Sequence, residues 1–364
     1  MKIKIGDITK IRTGKLDANA ADENGQYPFF TCSKNPLKIN TYSYDCECVL
    51  VAGNGDLNVK YYNGKFDAYQ RTYIIEDNSN GLLFMPYLYF FMESYMDELR
   101  KQSIGGVIKY IKLKNLTDAF IELPSIEVQR KIVNIISKAK EIVRRKENEF
   151  ELLDELVKAR FVEMFGDENN SKGWEIVNIE DVVNVQVGVV IKPSQYYTNQ
   201  YNGIKAFRSL NIGNGYIKDN DWVYFSKEGN KKNKKSILST NDVLVVRSGA
   251  PGTACVVTSE YAGSNAIDVI IAHPDFQKVD SHYLCTYTNM PHGKSQIIEG
   301  TGGAAQQHFN VGKYNKLKLM LPPLEYQKQY VKFLEEIDKS RSRIQKSLEA
   351  SQELFDSLMQ EYFG

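Results

Sequence analysis

Histidines and cysteines, which commonly carry catalysis or bind metals, are few in this sequence and poorly placed for either task. The four histidines all lie in the second half of the 364 residues, and no two have the i, i+4 spacing of a helical metal site. The five cysteines are odd in number and unevenly spaced, so free thiols in a reducing compartment are expected. The sequence therefore predicts no metal site.

Enzyme motifs are also missing. The sequence has no Gly-x-x-x-x-Gly-Lys-Ser/Thr phosphate loop and no Gly-x-Ser-x-Gly nucleophile elbow. It also lacks the Asn/Asp-Pro-Pro-aromatic tetrad with which an amino-methyltransferase grips a flipped base. The glycine-rich stretch EGTGGAAQQ at 299–307 has no phosphate-loop lysine. Catalysis by this chain alone is therefore not expected.

Basic residues are the remaining groups that could bind a ligand, and KKNKK at 231–235 is their densest cluster. Such lysines either contact phosphate groups or simply form a solvated loop. Because the net charge is only +1, any anion-binding face must come from local clustering. No apolar run reaches the length of a membrane span, and a cytoplasmic protein with two domains is expected.

A tandem repeat organises the chain. LPSIEVQRKIV at 123–133 returns as LPPLEYQKQYV at 321–331, and the echo continues without a gap for some forty residues. Upstream, KIGDITKIRTG at 4–14 resembles NIEDVVNVQVG at 178–188. Matches of this extent indicate two copies of one structural unit.

Each repeated phrase opens a long helix. Proline begins it, glutamate follows in the first turn, and about 40 residues pass before the next glycine, or roughly 60 Å of helix. An apolar stripe of heptad spacing predicts that the two helices pair, although each could instead lie on its own domain, and the stripe does not set the direction of pairing. The predicted pairing residues are Ile136, Val143, Phe150, Leu153, Val157, Leu334, Ile337, Ile344, Leu348 and Phe355.

The remaining segments are rich in short strand-like runs and loops, so each half is predicted to be α+β. CVLVAG, RTYIIE and IKYIKLK are the strand-like runs of the first half, and Pro86–Gln102 is helical in pattern. DVLVVRSG, AIDVIIA and KLKLMLPP are those of the second half. The predicted boundaries are 1–125 for the first domain, 126–165 for a central helix, 166–322 for the second domain and 323–364 for a C-terminal helix.

The doubled LPxLxxQ-type phrase, each copy following a loop-rich domain, resembles the specificity subunit of type I restriction–modification systems. GWEIVNIEDVVNVQVG, FRSLNIGNGYI, NDVLVVRSGAPG and TGGAAQQHF resemble phrases of that family's second recognition domain, and YPFFTCSKN and CVLVAGNGD resemble those of the first. The resemblance covers essentially the whole chain. It implies two loop-rich α/β target-recognition domains separated by two long helices that pair as an antiparallel coiled coil.

The resemblance also implies a function and partners. A non-catalytic subunit of this kind binds double-stranded DNA and reads a bipartite, asymmetric target, one half-site per domain. It holds two methyltransferase subunits, which bind S-adenosylmethionine and methylate adenine, and in the restricting form translocase–nuclease subunits as well. Two alternatives remain open: an interaction scaffold that binds no DNA, and a stand-alone DNA nuclease or methyltransferase.

Residues predicted to contact DNA combine basic side chains with amides and hydroxyls near strand ends. Arginine suits guanine edges, glutamine suits adenine, and lysine suits phosphates. A structural salt bridge is the competing interpretation for the arginines. The set comprises Lys34, Asn54, Lys60, Arg71 and Lys109 in the first domain, and Lys192, Arg208, Ser209, Lys231, Lys232, Lys234, Arg247, Ser248, Gln306 and Gln307 in the second.

Overall fold

A computed structural model describes residues 1–301 and 309–364. These residues form two compact units. The first unit contains Met1–Glu149 and Ile344–Gly364, and the second contains Phe150–Arg343. Each unit therefore joins one globular domain to a part of each long helix.

The first unit is built on a six-stranded sheet of order β2-β7-β5-β6-β3-β4, in which β3 and β6 are parallel and the other neighbours antiparallel; β1 pairs with β8. Its strands are β1 (Lys2–Lys4), β2 (Thr9–Thr13), β3 (Tyr27–Phe30), β4 (Leu37–Ile39), β5 (Tyr44–Ala52), β6 (Val59–Ala68), β7 (Thr72–Asp77) and β8 (Phe120–Glu122). Its short helices are α1 (Ile5–Ile8), α2 (Met85–Gln102) and α3 (Leu113–Thr117).

Strand β5 is buried on both faces, which explains its unbroken apolar run CVLVA. Val49 and Val51 belong to the core that also contains the buried face of α2, whereas Cys48 and Leu50 belong to a core with Phe66 on the other side. The predicted strand IKYIKLK is wrong. In that stretch Tyr110 closes a loop with Ile104, and the Asn115 side chain accepts the N–H of residue 112, which starts α3 in place of a strand.

The chain then passes through helix α4 (Ile126–Phe165) into the second unit and ends in helix α9 (Leu324–Phe363). The strands between them are β9 (Glu175–Asn178), β10 (Val183–Val187), β11 (Tyr197–Thr198), β12 (Gly203–Phe207), β13 (Val223–Ser226), β14 (Val243–Val246), β15 (Ala254–Val256), β16 (Asn265–Ala266), β17 (Val269–Pro274) and β18 (Lys318–Leu321). The helices between them are α5 (Lys227–Lys232), α6 (Ser281–Asn289), α7 (Pro291–Thr301) and α8 (Val311–Asn315).

The second unit repeats the plan of the first with its sheet divided. Its strands form the sheets β10-β17-β14-β15 and β11-β13-β12-β16, and β9 pairs with β18 as β1 does with β8. The matched glycines of the upstream echo, Gly14 and Gly188, occupy equivalent close contacts. A Cβ on Gly14 would lie 2.2 Å from the carbonyl oxygen of Ala68, and one on Gly188 would lie 2.4 Å from that of Ala266. Both positions therefore require glycine.

The two long helices pair antiparallel, as the fold-class prediction had it. In the first unit, Ile136 near the start of α4 packs in the same core as Phe355 and Phe363 near the end of α9. In the second unit, the ring of Phe161 near the end of α4 lies 5.4 Å from that of Tyr330 near the start of α9. No helix of the described residues is both long and apolar enough to cross a membrane.

None of the predicted pairing residues is exposed to solvent over most of its side chain. Ile136 and Ile337 are buried, and the remaining eight are half-buried: Val143, Phe150, Leu153, Val157, Leu334, Ile344, Leu348 and Phe355. Leu334 and Phe355 pack against the core of their own unit. Which of the ten contact the partner helix directly stays a prediction.

The repeated glutamine of the two phrases explains why the phrase occurs twice. Gln129 is fully buried; its Oε1 accepts the N–H of Phe84 at 2.9 Å, and its Nε2 donates to the carbonyls of Leu82 at 2.8 Å and Pro124 at 2.9 Å. Gln327 is equally buried and makes the equivalent three bonds, at 2.8, 3.1 and 2.7 Å, to the Asp280 N–H and to two backbone carbonyls. We call each arrangement a glutamine clasp. It ties the first turn of a long helix to the segment that precedes α2 or α6.

Replacing a clasp glutamine by leucine should destabilise the protein strongly. Gln129→Leu or Gln327→Leu leaves a buried N–H and two buried carbonyls unbonded, and each such group costs about 1–3 kcal/mol. Chemical denaturation of the full chain should show a loss of several kcal/mol for each variant. Gln345→Leu, at an exposed glutamine on α9, is the matched control and should change stability by less than about 0.5 kcal/mol. Equal stability of all three variants would contradict the role of the clasp.

A charge introduced into the buried seam of α9 should destabilise the protein much more than a charge introduced on the outer face of the same helix. Ile337 is 5% exposed and Leu354 is 53% exposed, and both lie on α9. Ile337→Asp should lower stability by several kcal/mol, because an unpaired carboxylate would be buried. Leu354→Asp should have little effect. The midpoint of thermal unfolding measures both, and similar midpoints for the two variants would argue against the pairing seam.

Candidate nucleic-acid interface

In the first unit, three of the five predicted DNA-contacting residues lie on loops that hydrogen bonds join into one frame around Gly53. The Gly53 N–H donates to the Arg71 carbonyl at 2.8 Å, and the Gly53 carbonyl accepts the Ile111 N–H at 2.9 Å. The next two residues continue the frame, since Asn54 bridges to Tyr110 and the Gly55 N–H donates to the Lys109 carbonyl at 2.9 Å. Asn54, Arg71 and Lys109 are thereby brought together.

Lys60 lies on β6 and is linked through Asn58 to the loop that contains Cys32. Its ammonium donates to the Asn58 side-chain oxygen, and the Asn58 amide in turn donates to the Cys32 carbonyl at 2.9 Å. Burial lowers the pKa of Lys60 from the usual value for lysine. Lys34 lies two residues beyond Cys32 and is exposed, as are Arg71 and Lys109. The first unit thus presents exposed basic side chains on loops that main-chain bonds hold in place.

In the second unit, Arg247 occupies the position equivalent to Gly53. Its carbonyl accepts the N–H of Phe309 at 3.1 Å, as the Gly53 carbonyl accepts that of Ile111. The guanidinium donates through Nε to the Phe309 carbonyl at 3.0 Å and pairs through Nη1 with Asp268 Oδ1 at 2.6 Å. The side chain is 14% exposed. A guanine contact by Arg247 stays a prediction, and the pair with Asp268 adds a role inside the protein.

Arg208 is also held by its own domain. Its guanidinium donates to the Asp221 carbonyl, and its N–H donates to the Asn211 side chain at 3.0 Å. The Nε of Arg208 is buried and has no hydrogen-bond partner within the described residues. Ser209 and Ser248, the residues after the two arginines, are half-buried. The arginines thus lie at the ends of β12 and β14, at the strand-to-loop junctions that the sequence predicted.

The predicted lysines of the second unit lie on its exposed surface. Lys231 and Lys232 are on α5, and Lys234 is in the turn that follows. Glu228, one turn earlier, pairs with Lys232 at 2.9 Å and raises the pKa of that lysine. Lys192 is exposed, with a left-handed φ of 44°, immediately before a short helical turn that packs against α5. Gln306 and Gln307 lie outside the described residues.

Sequence reasoning missed several residues of this region. Asp268 gave no local signal because its partner Arg247 is distant in sequence. Asn58 gave none because it supports Lys60 only through its side-chain amide. The exposed apolar loop tip at Val107 and Ile108 was missed because Ile108 begins the run that resembled a strand, and Val107 immediately precedes it. Among the described residues, no group of three or more His, Cys, Asp or Glu side chains could hold a metal ion. The exposed lysines and Arg71 are the side chains of this region that suit contacts with a polyanion.

Comparison with known proteins identifies the family. A family model described as "Type I restriction modification DNA specificity domain" matches residues 1–152 and 171–352. The chain is 44% identical over 123 residues to the Type I restriction enzyme EcoDI specificity subunit of Escherichia coli, a match that covers 34% of this chain but only 27% of that protein. It is 22% identical to the MjaVIII specificity subunit of Methanocaldococcus jannaschii, over 92% of this chain and 85% of that one.

Solved structures agree at the level of the fold. The S subunit of a type I restriction–modification system from M. genitalium has a TM-score of 0.64 at 14% identity, covering 100% of this chain and 96% of that one. A chain from a structure of type I system assembly and conformational transition has a TM-score of 0.61, also at 14% identity. The family match spans most of the sequence in two copies, as the tandem repeat predicted. The chain therefore belongs to the type I restriction–modification DNA specificity family, as a non-catalytic specificity subunit.

Proposed function

We propose that this chain reads a bipartite, asymmetric DNA target, one half-site per domain, and directs methyltransferase subunits to it for adenine methylation. The observation that carries the proposal is the equivalent backbone frame in the two units. The carbonyls of Gly53 and Arg247 accept the N–H groups of Ile111 and Phe309, and basic side chains are predicted contacts on both frames. Two similar frames in one chain suit a target read in two parts.

The asymmetry of the target follows from side chains that differ on the two frames. Gly53 corresponds to Arg247, and Arg71 corresponds to Asp268, as the pairings of β5 with β7 and of β14 with β17 indicate. Different hydrogen-bonding groups at the same place recognise different base edges. The two half-sites should accordingly differ, unlike the palindromes read by symmetric dimers.

The proposed partners follow from family membership. Relatives are named as specificity subunits of type I restriction enzymes. We propose that this chain likewise assembles with two methyltransferase subunits, which bring S-adenosylmethionine, and with restriction subunits where these are present. The cytoplasm, where genomic DNA lies, is the proposed location. Residues 1–125 and 166–322 are the proposed readers of the two half-sites, and 126–165 and 323–364 the helices between them.

Exchange of one domain should alter one half-site alone. The chain is expressed with its methyltransferase subunits, and residues 166–322 are replaced by the matching segment of a relative. Methylome sequencing should show one half of the methylated motif changed and the other half retained. The reciprocal exchange of residues 1–125 is the matched control and should change the opposite half. A change in both halves after a single exchange would contradict independent reading, and absence of any methylated motif with the unmodified chain would contradict the proposed function.

Lysines of the α5 cluster should contribute to binding without regard to sequence. Lys232→Ala should weaken binding to target and scrambled duplexes alike and reduce the salt dependence of the association constant by about one unit of log–log slope. Lys278→Ala is the matched control, because Lys278 is an exposed lysine of the same unit that also pairs with a nearby acid, Asp275. Fluorescence anisotropy in a salt series measures both variants. Equal binding by Lys232→Ala and Lys278→Ala would exclude a contribution of the α5 lysines to DNA binding. Failure of the unmodified complex to bind any duplex would favour an interaction scaffold that binds no DNA.

A further inference from the structure

A narrow apolar tip projects from the first unit, and neither the fold nor the proposed contacts account for it. Ile104 and Tyr110 exchange both main-chain hydrogen bonds, at 3.0 and 2.8 Å, and so close a loop of hairpin form. At its tip Val107 is 105% exposed and Ile108 is 63% exposed. Gly105, with a φ of 119°, makes the tight turn into the tip. Two adjacent aliphatic side chains presented to water in this way indicate a binding role.

The loop is fixed at its base to the recognition frame. Main-chain bonds join Lys109 to Gly55 at 2.9 Å and Ile111 to Gly53 at 2.9 Å, on both sides of the bridge between Asn54 and Tyr110. A tip held in this way moves with the predicted DNA-contacting loops. Its position is therefore set by the same bonds that would place Asn54 on DNA.

Charge around the tip favours nucleic acid over an apolar protein surface. Lys109 follows the tip directly and Lys112 stands three residues later, and both are exposed. The tip is two residues wide, not a broad face, and would suit a groove about 6 Å across such as the minor groove. Aliphatic side chains flanked by basic groups are used by other proteins to part stacked bases.

We propose that Val107 and Ile108 enter a groove of the bound duplex and unstack a base step of the first half-site. This inference rests on the proposed function, because it requires that the first domain bind DNA. The offset of the repeat places Ala305 and Gln306 at the equivalent sequence positions of the second half. A small and a polar residue cannot act as an aliphatic wedge, so the distortion should be confined to one half-site.

The test uses the full chain in complex with its methyltransferase subunits and duplexes of the motif found by methylome sequencing. 2-Aminopurine replaces one base at each step of a half-site in turn, and its fluorescence rises when the base unstacks. Each target adenine that a methyltransferase subunit flips out should give a rise in either half-site. Apart from these adenines, the unmodified complex should give a rise at one step of the first half-site and none in the second. The double variant Val107→Ser/Ile108→Ser should lose that rise and bind the motif at least about tenfold more weakly. Its affinity for scrambled duplex and its salt slope should not change, because no phosphate contact is removed.

Controls separate the wedge from its alternatives. Leu82→Ser removes an apolar side chain that is 58% exposed elsewhere in the first unit and should behave as the unmodified chain, and Val107→Leu should retain the fluorescence rise. An unchanged rise and affinity in the double variant would overturn the wedge while leaving the proposed function intact. Loss of methyltransferase subunits from the double variant alone would also overturn it, since the tip would then contact protein. Failure of the unmodified complex to prefer the motif over scrambled DNA would overturn the proposed function together with the wedge.

Discussion

The glutamine clasp is the interaction on which the connection between helix and domain depends in each unit. Burying a primary amide is costly unless its donors and acceptor are satisfied. Gln129 and Gln327 meet this condition by bonding to backbone groups that would otherwise be orphaned in the core. Because one of those groups belongs to the proline two positions before the helix and the others to a distant segment, the clasp sets the direction in which the helix leaves its domain. The glutamine is therefore needed in both copies, whatever the neighbouring loops contain.

A second repeated contact strengthens the same junction. The hydroxyl of Tyr87 donates to the Glu122 carbonyl at 2.9 Å, and that of Tyr283 donates to the Met320 carbonyl at 2.7 Å. Both tyrosines lie on the helix that follows the clasped segment, and both rings are almost completely buried. In each unit this bond joins the helix that follows the clasped segment, α2 or α6, to the strand before the long helix, β8 or β18. The repeat preserves these junctions more closely than it preserves the sheets, which are continuous in one unit and divided in the other.

Much of the fold could be predicted from the sequence, because long helices and buried strands have strong periodic patterns. The apolar runs at β5, β7, β14 and β17 and the helix α2 were visible in this way. The loop at Ile104–Tyr110 was not, since the run that begins at Ile108 resembles a strand and only the pairing of Ile104 with Tyr110 shows otherwise. The site was less predictable for a physical reason. An arginine that reads a base and an arginine that pairs with Asp268 have the same local sequence, and 21 residues separate the partners.

Gly53 and Arg71 of the first unit correspond to Arg247 and Asp268 of the second, and this difference limits which residues either position can accept. A Cβ on Gly53 would lie 2.3 Å from the Arg71 carbonyl, so no larger residue fits while that backbone conformation lasts. At the equivalent turn Asp268 has a left-handed φ of 48°, and the residue facing it carries the longest basic side chain. A lineage that moved from one arrangement to the other by single substitutions would pass through a strained intermediate or an uncompensated charge. The residues at the two positions are thus coupled, and a change at one is accommodated most easily together with a change at the other.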